Sequence, residues 1–562
     1  MKSSKRNRKE DDLAEFAPGA YWKVLTPLQE PLPEPMNLHI NNARAPTLPM
    51  EDINKEPRPK FNFEETFDRP IFTGTKKAIK TSASGLPVMD RQGNVVYETV
   101  MRTEGQPKDV FLKKNKLTVK SHPVEFLHAF LPLKNNHRSK NGTSYLSISD
   151  LVQWTNLKAM VSNAGTDECY KDFTQFTPKE VKQHLGLYIL NGLSPSPNMD
   201  LKFDRDDAAN YNNFVCTNVR NGVRRHRMFR AFFACQDPRK NVPAGAASPL
   251  FKLLPLINWM NRIGQLSWEP AMNLSIDEQT ISFQGRHADK LRISYKAEGD
   301  GFQADAICDR GFTYAFYFRN EPPPKKYIKQ GLSPLHARVM WLFNKLEQQY
   351  SRVWMDNLYI SAKFAKFAMN HPKRVLIAGV ARKSGRGIPM SVLQEEVKNP
   401  NDAFKVRGTV KAAVLMGDKD CRDLVAISVY DTKPVHFISS ICDSIKWIDK
   451  NRKVWNEAKQ EFSNMNLLRL NVNNDYNNDM NAIDIADQLR NNYRFDHWLR
   501  NFKWWWSIFM WVFGVLIVNS YVVYNSVCDA TGLLKKQRYS QYQFRLAIAR
   551  MWIELEEDTI LA

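Results

Sequence analysis

Apolar and polar positions follow two rhythms along this chain. From about residue 121 to residue 270 apolar side chains recur every three or four positions, the spacing of one helix face. PVEFLHAFLPL (123–133) is the first such run. Thr177-Pro178-Lys179-Glu180 forms a capping box with proline at the first helical position; it predicts a helix over EVKQHLGLYILNGL, closed by Gly192. NGVRRHRMFRAFF (221–233) and a segment containing LFKLLPLINWMNRI predict two more helices. The rhythm then shortens. LSIDEQTISFQGR (274–286), LRISYK (291–296), FQADAICD (302–309) and YAFYFRN (314–320) read as three or four successive antiparallel strands separated by turns. After a Pro-rich linker come an amphipathic helix, HARVMWLFNKLEQQY (336–350), a buried-type strand, RVWMDNLYI (352–360), a helix, SAKFAKFAM, and a strand, RVLIAGVA. Strands alternating with helices after a meander predict a mixed α/β sheet.

Residues 382–450 read as an inserted β-rich unit, with VRGTVKAAVLMG, DLVAISVYD and PVHFISS as strands. NNDYNNDMNAIDIADQLRNNYRF follows, an Asn-rich turn that becomes helical near 480. The next run, WWWSIFMWVFGVLIVNSYVV (504–523), has no charged side chain over about twenty positions, the length of a membrane-spanning helix. Its Trp and Tyr ends imitate an interfacial belt. Arg500 and Lys503 on one side, against Lys535, Lys536 and Arg538 on the other, give no positive-inside asymmetry. The expectation is therefore a helix apolar all round because it is buried all round, not a membrane anchor. Residues 1 to about 60 are Pro-rich, charged and without apolar period, and read as disordered. Residues 61 to about 115 are ambiguous, with a hairpin candidate around Asp90-Arg91-Gln92-Gly93-Asn94.

Charge narrows the partners. Among 562 residues, 80 Lys and Arg face 59 Asp and Glu, a net charge of +21 that favours an anionic partner, most commonly nucleic acid. Arg224, Arg227 and Arg230 lie three apart on one predicted helix face, which suits either phosphate contacts or a solvated basic surface. Lys5-Arg6 and Arg8-Lys9 read either as a nuclear import signal, giving a nuclear location, or as a solvated tail. Seven cysteines are scattered singly with no C-x-x-C pair, which argues against a disulfide framework and against a zinc finger.

No P-loop, dinucleotide fingerprint or nucleophile elbow is present. What remains is a set of acids in unusual places. Asp277 interrupts an apolar strand, Asp356 ends one, and Asp484 and Asp487 share a helix face. Each has a bland account: a strand-end cap for Asp277, a helix N-cap for Asp356, a solvated position for Asp484. As a set they match what nucleic-acid strand cleavage needs, because two Mg²⁺ ions want hard oxygen ligands and no Cys or His cage.

LSIDEQTISFQGR, WMDNLYIS, ARKSGRGIP, YDTKPVHFISS and above all YNNDMNAIDIADQLRNNYRF followed by KWWWSIFMWVFGVLIVNSYVVY resemble the successive blocks of piggyBac-type transposases. The resemblance covers roughly residues 120–525 in the right order. It implies a ribonuclease H-like mixed sheet flanked by helices, with an inserted β-rich unit and an N-terminal mostly helical domain. It also implies an acidic triad: Asp277 in S-I-D-E, Asp356 in M-D-N and Asp484 in A-I-D-I-A-D-Q, binding two Mg²⁺ or Mn²⁺ ions. Asp487 matches a further acid, and Arg286 in G-R is a DNA contact candidate or a partner for an acid. Implied partners are double-stranded DNA, as transposon ends and TTAA targets, and a second copy of the chain in a homodimer. The implied reaction is strand nicking by water, hairpin formation by the freed 3′-hydroxyl, then joining to target DNA. A domesticated relative that binds DNA without cutting is the alternative. The division that follows is 1–60 as a tail, 61–115 unassigned, and 116–525 transposase-like. The last comprises 116–270 for DNA binding or dimerisation, 271–380 with 475–525 as catalytic core, and 381–474 as insertion; 526–562 is a helical tail. The chain departs from the family at Asn481-Ala482, where two glycines are usual, at the acidic KAEGDGFQAD (296–305), and at its end, LEEDTILA, where no Cys/His-rich zinc module follows Cys528.

Overall fold

The computed structural model describes residues 101–134, 146–165, 170–204, 212–219, 221–240, 250–292, 300–382, 387–389, 410–430, 434–456, 460–495, 499 and 503–554, together with 13, 16–25, 66–67, 69, 73–79, 89 and 97–100. The chain divides into two compact units. The first comprises residues 1–101, 272–275 and 348–481; the second comprises 102–271, 276–347 and 482–562.

In the first unit a mixed sheet runs in the order Tyr21–Leu25, Val410–Met416, Val425–Tyr430, Pro434–Ser439, Leu376–Ala381, Arg352–Met355, and ends on the first residues of Asn273–Ser282. Arg352–Met355 and Leu376–Ala381 pair in parallel, linked through the helix Ala362–Met369. Such a parallel pair needs a crossover of this kind. The pair Leu376–Ala381 with Pro434–Ser439 is antiparallel. The strands at 410–439 are thus continuous with this sheet and do not stand apart from it. Alternate residues of these strands, among them Trp354, Ala378, Ala412, Ile427 and Phe437, meet in one apolar cluster.

Two segments of this unit differ from expectation. Tyr21–Leu25 lies within the stretch read as disordered, yet it is an antiparallel edge strand against Val410–Met416. Leu25 enters the apolar cluster, and the Ala17 N–H donates to Asp418 at 3.0 Å. Long-range partners give these few residues order that local composition does not. Asn471–Asp479, expected as an Asn-rich turn, is a helix. Asparagine disfavours helices because its side chain competes for nearby backbone. Here Asn471 is occupied elsewhere: its amide donates to the Ser444 carbonyl at 2.7 Å and accepts from the Lys446 N–H. The Thr75–Ile79 and Tyr97–Met101 strands pair antiparallel; the hairpin turn expected at 90–94 lies outside the described residues, as do 1–12 and the basic pairs within them.

The second unit is mostly helical, with strands Asp300–Asp309 and Phe312–Phe318 beside the remainder of Asn273–Ser282. Its axis is the helix Trp504–Ala530, 27 residues long and apolar enough to cross a membrane, of whose most apolar window 89% is buried by protein. It packs on helices Pro123–Phe130, Leu254–Ser267, Ala482–Asn491 and Gln541–Glu554 and on strand Phe312–Phe318. Asn519 and Ser520 are fully buried within it. Asn519 makes two bonds to the neighbouring strand, accepting from the Thr313 N–H at 3.0 Å and donating to the Thr313 carbonyl at 2.9 Å.

Thr177 and Glu180 form the expected capping box of the helix Pro178–Leu193. Gly192 does not close this helix but lies inside it. A Cβ there would stand 2.6 Å from the Tyr493 carbonyl oxygen, so the glycine serves close approach of another segment. The same helix carries His184, which meets His226 of the helix Gly222–Phe232 with their Nδ1 atoms 3.3 Å apart. Burial pushes His184 down to about 3 and His226 well below the usual range, each lowered further by neighbouring cations. Both are therefore neutral in the fold, whereas the unfolded chain takes up their protons below about pH 6.5. Their contribution is present above that pH and is lost as pH falls. Unfolding free energy should drop by roughly 1 kcal/mol per pH unit from each histidine between pH 6.5 and 5. Urea titrations at several pH values measure this, and a flat profile over that interval would contradict it.

Candidate functional site

Asp277 is half-buried on the strand Asn273–Ser282, and its Oδ1 accepts the Glu278 N–H at 2.7 Å. Two positions along, on the same side of the strand by its two-residue period, Gln279 is 1% exposed. Its Nε2 donates to Asp487 Oδ1 at 2.8 Å. Arg490, one helical turn beyond Asp487, donates to the same oxygen at 3.1 Å. Asp487 is thus clamped between the strand of Asp277 and its own helix. The Cys308 thiol sits fully buried nearby; burial pushes its pKa up, and the charges of Asp487, Asp309 and Asp277 raise it further. The Gln279–Asp487 bond is what sets Asp487 against the strand that carries Asp277.

The helix Ala482–Asn491 is held by the turn between the neighbouring strands. The Gly311 N–H donates to the Ala482 carbonyl at 3.2 Å. Gly311 has φ +93°, and a Cβ on it would stand 2.9 Å from Ile485 Cγ2 and 3.3 Å from Leu489 Cδ1. Only glycine suits both that φ and that approach. Asp484 is exposed in the first turn of the helix, where the macrodipole favours an acid. Neither Asn481 nor Ala482 is among the described residues with positive φ, so the backbone there requires no glycine.

Asp356 belongs to the first unit. It is half-buried directly after the strand Arg352–Met355, and its carbonyl accepts from the Tyr359 N–H at 3.0 Å. Ser361, and not Asp356, caps the helix that follows. In the same unit Asp443, Asp475 and Asp479 line a cleft of about 170 Å³ with Arg352. Burial, reinforced by Asp443, raises the Asp475 carboxyl above its usual range.

Carboxylate oxygens are the ligand type that a hard divalent cation takes, so the candidate acids suit Mg²⁺ or Mn²⁺ in kind. Among the described residues no three His, Cys, Asp or Glu side chains gather closely enough to hold a metal ion.

The candidate DNA-contacting arginines differ in setting. Arg286 is exposed on the loop after the Asp277 strand. Arg224 pairs with Asp172, and Arg227 with Asp200 at 2.6 Å; all four lie in the second unit. Both are surface pairs, which a phosphate can displace at small cost. Arg230 is half-buried, and its carbonyl accepts from Lys503 Nζ at 2.6 Å. Gln279 and Arg490, the clamp around Asp487, were not singled out by sequence. Their signals were period two from Asp277 and period three from Asp487.

A family model described as Transposase IS4 matches residues 147–521. Among solved structures, the chain is similar to a piggyBac transposase in a synaptic complex with hairpin DNA, determined by cryo-EM. The TM-score is 0.61 at 18% identity, covering 80% of this chain and 82% of that one. The mixed α/β architecture, with its large mixed sheet and many helices, is shared with that protein. The family match spans the strand of Asp277, the turn of Asp356, and the helix and Trp-rich segment that follow. This chain belongs to the piggyBac-type transposase IS4 family.

Proposed function

We propose that this protein cuts and joins DNA strands as a cut-and-paste transposase, with a ribonuclease H-like core, using Asp277, Asp356 and Asp484 as metal-holding catalytic acids. Mg²⁺ or Mn²⁺, when bound, supplies activation of the attacking oxygen and stabilisation of the leaving one. Asp487 orients the site, itself oriented by Gln279 and Arg490. Arg286, Arg224, Arg227 and Arg230 contact phosphates, exchanging their carboxylate partners for DNA where they have them. Hairpin-ended DNA and TTAA targets are the substrates, a homodimer is the working form, and the nucleus is the location. The observation that carries this reading is the Gln279–Asp487 bond, which ties the strand of one candidate acid to the helix of two others.

One observation favours a second reading, binding without cleavage. The Asp487 charge is already compensated by Arg490 at 3.1 Å. A single experiment separates the two. Duplexes captured by the full chain from a randomised-sequence pool are incubated with it in Mg²⁺, Mn²⁺ or Ca²⁺. The first reading expects nicked products in Mg²⁺ or Mn²⁺ and not in Ca²⁺, with binding that weakens steeply as salt rises. Salt-sensitive binding without products under any metal supports the second, and no binding at all removes both.

A further inference from the structure

Inside the second unit a cleft of about 270 Å³ opens beside Asp487. It is lined by Glu278 and Thr280 of the Asp277 strand, by Asp487, Arg490, Tyr493 and Arg494, and by Trp511 of the Trp-rich helix. Trp511 is 3% exposed and Arg490 9%. The Trp511 Nε1–H, the Arg490 Nε–H and the Thr280 hydroxyl are all buried without a hydrogen-bond partner. A buried polar group left unpaired costs about 1–3 kcal/mol. Three such groups around one cavity ask for an occupant that can pair with them.

Charge decides what kind of occupant. Arg490 is compensated by Asp487, and Glu278 is paired with Arg319 at 3.1 Å. Two acids and two arginines line the cleft, which leaves no excess of positive charge for a phosphate. The unpaired groups are two N–H donors and a hydroxyl. Carboxylates that can accept stand beside them, and the rings of Tyr493 and Trp511 are part of the lining. A planar, uncharged ring with acceptors and donors on its edge matches that lining.

We infer that this cleft holds a single unstacked nucleobase of a DNA strand engaged at Asp487, with Trp511 and Arg490 donating to its acceptor edge. The inference rests on the DNA-handling reading above and names the part of the DNA that this site takes. Removing a base from its stack costs a few kcal/mol, which stacking and edge hydrogen bonds in a protein pocket offset. Such a pocket would fix the register of the strand relative to the acids without reading the phosphate backbone.

The test uses the full chain and the four free deoxynucleosides, observed by saturation-transfer NMR, with inorganic phosphate and deoxyribose 5-phosphate as competitors. Saturation should reach the base protons of at least one nucleoside, and neither competitor should displace it. Trp511→Phe and Thr280→Val each remove a hydrogen-bonding group while keeping most of the volume. Each should weaken nucleoside binding about 5- to 20-fold, the consequence of one lost hydrogen bond, with thermal unfolding close to that of the wild type. No transfer to any nucleoside, displacement by phosphate, or unchanged binding in both variants would overturn the inference. Free nucleosides require neither duplex binding nor cleavage, so a chain that fails to bind or cut DNA still answers this test.

Discussion

Replacing Asn519 with leucine should lower the unfolding free energy by about 3–5 kcal/mol, although the two side chains are similar in size and the site is wholly buried. The reason is Thr313. Its N–H and its carbonyl are both taken by the Asn519 amide, at 3.0 and 2.9 Å. Thr313 stands opposite Cys308, where the register between Asp300–Asp309 and Phe312–Phe318 shifts beside Ile307, so the amide serves backbone at an irregularity in the ladder. Leucine leaves a buried donor and a buried acceptor unpaired, at about 1–3 kcal/mol each. Ser520→Ala is the contrast. The Ser520 hydroxyl donates to the Ile517 carbonyl of its own helix, so its removal should cost less than about 1 kcal/mol. Urea unfolding of the two variants beside the wild type decides the matter. An Asn519→Leu value within 1 kcal/mol of wild type would sink this account of the helix.

If Asp277 holds the metal as proposed, Asp277→Asn should abolish metal-dependent nicking, by roughly 10³-fold or more, because losing a carboxylate ligand would remove several kcal/mol of transition-state stabilisation. Asp487→Asn should be milder, on the order of 10- to 100-fold, the usual effect of disturbing a group that orients ligands. Gln279→Ala should resemble Asp487→Asn and not Asp277→Asn, since it frees the same carboxylate. All three should bind captured duplexes with the salt dependence of the wild type. The readout is the nicking rate on DNA against metal concentration: a positioning defect is partly recovered at higher metal, and a missing ligand is not. Equal rates for Asp277→Asn and wild type would remove Asp277 from the chemistry.

Much of the fold was legible because its signals are local. The capping box at Thr177-Pro178-Lys179-Glu180, the three-to-four spacing of PVEFLHAFLPL and the β-rich runs LSIDEQTISFQGR, FQADAICD and YAFYFRN each depend on residues a few positions apart, and each forms the element it predicts. The family was legible too, because blocks such as A-I-D-I-A-D-Q-L are contiguous in sequence. Gly192 and Asn471–Asp479 were misread for the opposite reason. The glycine answers to the Tyr493 carbonyl, about three hundred positions away, and Asn471 to Ser444 and Lys446 across the first unit. Likewise Tyr21–Leu25 becomes a strand only because Val410–Met416 offers it an edge.

The sequence by itself determined which residues are chemically equipped: four acids in apolar surroundings, a +21 chain and an uncharged Trp-rich run that must be hidden. Tertiary structure alone decided what those residues touch. It buried the Trp-rich run against the helices and strand of its own unit, gave Asp487 to Gln279 and Arg490, and left Trp511 and Arg490 with unpaired donors around a cleft. The division has a physical cause. Propensity, capping and periodicity are set by neighbours along the chain, whereas pairing and burial of a polar group depend on partners that only folding brings within about 3 Å.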